Sequence, residues 1–219
     1  LKDREWINLS KNISVMSITT DIQDAILLLR VNNDIFVNLN DAGPYSSKFI
    51  KKQISKFRRR FLLSISTFEA DMLNFFDEDD NFIKPANADK FSAGEYLSMI
   101  ANVLGTNYII PFSSLHEYQR EDSIWANEYI YPIEKYHEGI NSKHVYIKPF
   151  SFINSKKDDD FININIKKKK LEIKSANSFG DNWKDELNIH DKKIIEDYFN
   201  KFSSFREKIG FISFIIGGK

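Results

Sequence analysis

The chain has 219 residues, of which 42% are hydrophobic, 14% aromatic and 28% charged, with only 8 Gly and 5 Pro. That composition excludes a disordered tail or linker and fits one large globular domain or one and a half ordinary ones. Its 31 basic and 31 acidic side chains cancel, so no global field gathers a polyanion, and the absence of Cys removes disulfides, thiolate metal sites and cysteine nucleophiles. No apolar run approaches the roughly 18 residues of a membrane helix, and the reading is a cytoplasmic, non-membrane protein.

In chain order, Ile13–Ile18 alternates apolar with small or polar residues and Ala25–Val31 is almost continuously apolar, so both read as strands. Asn32-Asn33-Asp34 tolerates positive φ and predicts a hairpin joining 26–31 to Ile35–Leu39. Phe49, Ile50, Ile54 and Phe57 at helical spacing predict an amphipathic helix over Ser47–Arg59, followed by a buried strand over 61–66. A second helix is expected over Ala93–Leu104, stopped by Gly105, and then a strand over Tyr108–Phe112. Such alternation predicts a layered α/β domain. The pattern loosens after residue 112 and recovers at His144–Pro149. Period-two alternation over 161–166 and 171–174, on either side of Lys167–Lys170, predicts a hairpin. A last helix over 191–208 and a strand over 211–216 close the chain, and the division expected is 1–155 and 156–219.

Two strand ends carry the polar chemistry. Asn38-Leu39-Asn40-Asp41-Ala42-Gly43-Pro44 places a carboxylate where a strand turns; position alone favours an ordinary Asx turn, and an oxygen-ligated metal is the functional alternative. Ile110-Pro111-Phe112-Ser113-Ser114-Leu115-His116-Glu117 places a potential ligand and an acid/base group after another strand, in the position where α/β proteins hold their sites. The four His show no ligand spacing, no Gly-x-Ser-x-Gly elbow is present, and Gly217-Gly218-Lys219 lacks the rest of a phosphate loop.

The hairpin ending in Asn38-Leu39-Asn40-Asp41, the helix and strand over 49–66, and the strand running into Ile110-Pro111-Phe112-Ser113-Ser114 together resemble the C-terminal half of a metallo-β-lactamase-fold hydrolase. The similarity spans about residues 10–155 and is to the branch with ascorbate-phosphate lactonase-like and CMP-N-acetylneuraminate hydroxylase-like proteins. It implies an αββα sandwich with a zinc, manganese or iron centre, where metal-bound hydroxide attacks an ester, lactone or phosphoester. Asp41 would be a metal ligand and His116 a substitute for the His usual at Ser113, with Asn38, Asn40, Ser113, Ser114 and Glu117 at the substrate.

The family's His-x-His-x-Asp-His cluster is missing from this sequence, which opens on Leu1. The resemblance therefore implies that an upstream segment or a partner chain supplies those ligands, or that the chain is a degenerate, non-catalytic binding module. A third alternative, a nuclease-like member, rests on the basic run Lys48, Lys51, Lys52, Lys56, Arg58, Arg59 and Arg60, although zero net charge favours reading that run as the outer face of a solvated helix.

Overall fold

The computed structural model describes residues 2–20, 24–65, 77, 79, 81–83, 92–113, 115–157, 160–164, 170–180 and 186–201. The chain divides into two compact units, Leu1–Gln119 with Ser123–Ile173, and Arg120–Asp122 with Lys174–Lys219. The boundary expected at 155 falls instead inside a hairpin that belongs to the first unit.

The first unit is an α/β layer built on a seven-stranded sheet in simple sequence order. Strands β1 (Ile7–Asn8), β2 (Ile13–Thr19), β3 (Ala25–Val31) and β4 (Asp34–Asn40) form an antiparallel meander. Strands β5 (Arg59–Ser64), β6 (Tyr108–Pro111) and β7 (Val145–Tyr146) then continue parallel to β4. Helix α1 (Ser47–Ile54) crosses from β4 to β5, and α2 (Ala93–Leu104) precedes β6. The β3–β4 turn forms as expected, with Asn32 at φ 54.

Side-chain alternation explains the layers. Ile26, Leu28, Ile35, Val37, Leu39, Leu62 and Ile109 point to one face, are fully buried, and pack with Ile50 and Ile54 of α1 and Leu97, Ala101 and Leu104 of α2. The alternate residues point to the second face. There, β-register stacks the Phe36 ring on Phe61 at 4.5 Å and Phe61 on Tyr108 at 4.7 Å. A separate hairpin of β8 (Ser151–Ile153) and β9 (Phe161–Asn163) sets the Phe161 ring edge-on to Tyr108 at 5.6 Å. Elsewhere on this face Leu27, Leu29, Leu63 and Ile110 are only half-buried.

Two expectations need correction. Helix α1 stops at Ile54, not at residue 59, because Arg59 is drawn into β5 to pair with Asp34 at the start of β4; both side chains are 4% exposed. Phe161–Asn163 pairs with Ser151–Ile153 and not with 171–174, because Phe161 seats on the Phe61 and Tyr108 rings while Arg59 holds the carbonyls of Asn154 and Lys157. The segment 144–149 contributes only Val145–Tyr146 to the sheet.

Helix α2 matches its expected span. Ser92 accepts the Glu95 N–H while the Glu95 carboxylate accepts the Ser92 N–H, a reciprocal cap, and Gly105 ends the helix at φ 79. In the second unit, Arg120 bridges to Lys174, and residues 189–201 are helical, started by Asn188, whose side chain accepts the Asp191 N–H at 2.9 Å. Ile194, Ile195, Tyr198 and Phe199 of that helix are exposed. The expected continuation to 208 and the strand over 211–216 lie outside the described residues, as do 66 and 165–169.

Candidate functional site

Parallel pairing of β4, β5 and β6 aligns their C-terminal ends: Asn40 is opposite Ser64, and Ser64 is opposite Pro111. Two hydrogen bonds carry the ladder past the strands, Ile65 N–H to Asn40 O at 2.8 Å and Phe112 N–H to Ser64 O at 2.9 Å. The two polar strand ends picked out from sequence therefore lie at one edge of one sheet. In open α/β sheets that edge is where ligands are bound, because the strands stop together and leave a crevice beyond them.

At this edge the backbone is shaped by three positive φ values: Asn40 at 51, Gly43 at 67 and Ser113 at 70. An irregularity in the β4–β5 register falls between Asn38 and Asn40. The Asn38 side chain accepts the Asn40 N–H at 3.0 Å, and Asn40 Nδ2 donates to Asp41 Oδ1 at 2.6 Å. Asp41 is exposed and oriented by this chain of amides, so Asn38 and Asn40 position the carboxylate. Ser113 is half-buried, and Ser114 lies outside the described residues.

His116 and Glu117 sit farther along the loop after β6 and line a cleft of about 1220 Å³. The His116 ring meets Tyr118 edge-on at 5.0 Å. Asn127, which no sequence pattern singles out, clamps this loop: its Oδ1 accepts the Tyr118 N–H at 2.7 Å and its Nδ2 donates to Tyr118 O at 2.9 Å. Tyr131, Tyr136, Tyr146 and Lys148 also line the cleft and were equally unmarked in the sequence. Burial pushes the Tyr146 hydroxyl up to about 12, with Tyr136 adding to the rise. Tyr131 is also raised, by burial and then by Glu138.

Among the described residues, no three His, Asp or Glu side chains are grouped so as to hold a metal ion. A catalytic zinc is typically held by three protein ligands. Asp41 offers a single carboxylate, so the described donors do not by themselves fit the metal centre implied by the resemblance. The basic run is also thinned: Arg59 is buried on Asp34, and Arg60 is committed to the carbonyls of Gly105 at 2.6 Å and Phe57 at 2.7 Å. Lys48, Lys51, Lys52 and Lys56 stay exposed.

His144, beside β7, places Nε2 3.3 Å from Asn102 Oδ1. Burial lowers its pKa from the ordinary 6.5 and Lys143 adds to this, against a raising contribution from the Thr106 backbone. The folded state then resists a proton that the unfolded chain accepts, so stability is retained above the ordinary His value and falls as pH drops through the folded one. Thermal unfolding followed from about pH 8 to about pH 5 is expected to show that decline, and His144→Gln to flatten it.

The fold is an α/β layer whose parallel strands end together in polar residues. No protein-family model matches the chain, and no curated protein matches its sequence. No helix among the described residues is long and apolar enough to cross a membrane.

Proposed function

We propose that this chain is the C-terminal half of a metallo-β-lactamase-like αββα sandwich and contributes Asp41 to a hydrolytic, metal-dependent site. The observation that carries this reading is the alignment of Asn40, Ser64 and Pro111, which puts Asp41 and Ser113 at one sheet edge. The second sheet face adds support. Strands that are apolar on both faces belong to sheets covered on both, yet Leu27, Leu29, Leu63 and Ile110 are left half-buried, as a face awaiting another layer would be. In this reading a further segment or a partner chain supplies that layer and the remaining metal ligands. The reaction class is hydrolysis of an ester, lactone or phosphoester, with zinc, manganese or iron as the metal, and a cysteine-free chain suits a cytoplasmic setting. Within the chain, Asn38 and Asn40 orient the Asp41 carboxylate toward the crevice.

The test isolates the native protein with an antibody to this chain and measures its intact sequence and metal content. The expected species carries a His-x-His-x-Asp-His segment, in the same polypeptide or a bound partner, and binds metal that Asp41→Ala weakens by about tenfold or more. A native species with neither the segment nor bound metal would overturn the proposal. That outcome favours the second reading, a non-catalytic binding module, for which the cleft beside His116 speaks because it needs no metal.

A further inference from the structure

The β8–β9 hairpin of the first unit has two unlike faces. Register pairs Ser151 with Asn163, Phe152 with Ile162 and Ile153 with Phe161, and the Ile164 N–H donates to Phe150 O at 2.9 Å. Alternation sends Ile153 and Phe161 inward, where they pack against the Phe61, Tyr108 and Ile147 cluster. Phe152 and Ile162 stand opposite each other on the outer face, and Phe150 and Ile164 are the next pair along it. All four are apolar and 52–60% exposed. Single exposed apolar side chains are ordinary, but four such residues paired on one short hairpin form a patch of the kind that marks an interaction surface.

The charge on this part of the chain is one-sided and selects the occupant. Lys148, Lys156, Lys157 and Lys170 are exposed, whereas Asp160 is half-buried and accepts a hydrogen bond from Asn154 Nδ2 at 2.9 Å. From Lys148 to Lys170 the sequence carries seven Lys against three Asp, in a chain whose 31 basic and 31 acidic side chains cancel overall. A second copy docked face to face would bring like charges together, which opposes self-association. A specific protein interface carries about one hydrogen bond per 100–200 Å², and the four apolar side chains offer neither donor nor acceptor. A lipid surface with anionic headgroups needs no such fixed partners. Apolar side chains enter the boundary between headgroups and acyl chains, while Lys stems lie along it and carry their ammonium groups to the anionic headgroups.

We propose that the outer face of the β8–β9 hairpin docks the protein on an anionic lipid surface, with Phe150, Phe152, Ile162 and Ile164 at the headgroup boundary and the exposed lysines among the headgroups. The contact is peripheral and needs no spanning helix. It stands independently of any metal at Asp41.

Vesicle flotation of the full chain tests it, with pure phosphatidylcholine vesicles and with vesicles holding about 30% phosphatidylserine. The chain is expected to float with the anionic vesicles only, and raising salt from about 0.1 M to about 0.5 M should release most of it. Phe152→Ser with Ile162→Ser should lower the affinity for anionic vesicles about tenfold or more, and Lys156→Glu with Lys157→Glu should do the same. Lys48→Glu with Lys52→Glu makes the same change of net charge on the exposed side of α1 and should leave binding within about twofold. Circular dichroism identifies the variants that keep the fold. Absence of binding to anionic vesicles, equal binding to phosphatidylcholine, unaltered affinity in the folded hairpin variants, or equal losses in the α1 and hairpin lysine pairs would each overturn the proposal. So would a dimer, or a complex with an acidic protein, that Phe152→Ser with Ile162→Ser dissociates, since the face would then belong to a protein.

Discussion

Arg59→Met is expected to destabilise the first unit by about 3–5 kcal/mol, because it strands a buried carboxylate. Arg59 Nε donates to Asp34 Oδ1 at 2.8 Å, and the guanidinium also donates to Lys157 O and Asn154 O, each at 2.8 Å. One side chain thus joins the starts of β4 and β5 to the turn between β8 and β9. Its loss leaves Asp34 unpaired in the interior and frees two carbonyls from their donor. Chemical denaturation is expected to show the lowered stability, and limited proteolysis to show earlier cleavage near residues 154–157. The paired change Asp34→Leu with Arg59→Met removes both charges and should recover much of the loss, since a buried pair replaced by apolar groups is often neutral. Recovery would separate the cost of an orphaned charge from the cost of the missing turn contacts, which the double variant does not restore.

Gly94→Val is the second change with a large expected effect. A Cβ at residue 94 would lie 2.2 Å from Glu138 O and 2.8 Å from Ile140 N, both backbone atoms that cannot swing aside. Residue 139 answers from the other side: it has φ +81, and a Cβ there would lie 2.2 Å from Ser92 Oγ. The start of α2 and the 138–140 turn are therefore interlocked through two glycines. Ser92 Oγ donating to Glu138 O at 3.0 Å and the Asn141 N–H donating to Ser98 Oγ at 2.9 Å complete the joint. Overpacking of this kind costs about 1–3 kcal/mol and more when backbone must move, so the expectation is about 3 kcal/mol. The displaced turn directly follows the Tyr131, Tyr136 and His137 wall of the cleft. Calorimetry on Gly94→Val should show a lowered unfolding temperature.

The elements most legible in the sequence were those whose signals are local. Helix α2 was readable over its span, with Gly105 suiting the left-handed stop. The β3–β4 hairpin was readable from Asn32-Asn33-Asp34 in the same way. Arg59 was read as the end of a helix because its partner Asp34 is 25 residues away and nothing in the intervening sequence signals the pair. The partner of Phe161 was misread for the same reason: strict alternation identifies a strand but not what it pairs with, and the ring cluster on Phe61 and Tyr108 decided that.

The candidate residues show the same division. Asn38, Asn40, Asp41 and Ser113 could be named because polar residues ending an apolar run stand out locally, but only strand register brings the two runs to one edge. Tyr131 and Tyr136 gave no signal, because they come from irregular chain with no period to depart from, and Tyr146 and Lys148 gave none because a short apolar run reads only as sheet. By itself the sequence determined the α/β class and the polar character of two strand ends, both consequences of hydrophobic periodicity and turn chemistry acting within a few residues. The tertiary structure alone decided which strands are neighbours, that Arg59 is a buried tie and not a surface cation, and that a cleft opens beside the edge. Those outcomes depend on pairings across tens of residues, where packing and the pairing of buried charge select one arrangement among many that the local pattern allows.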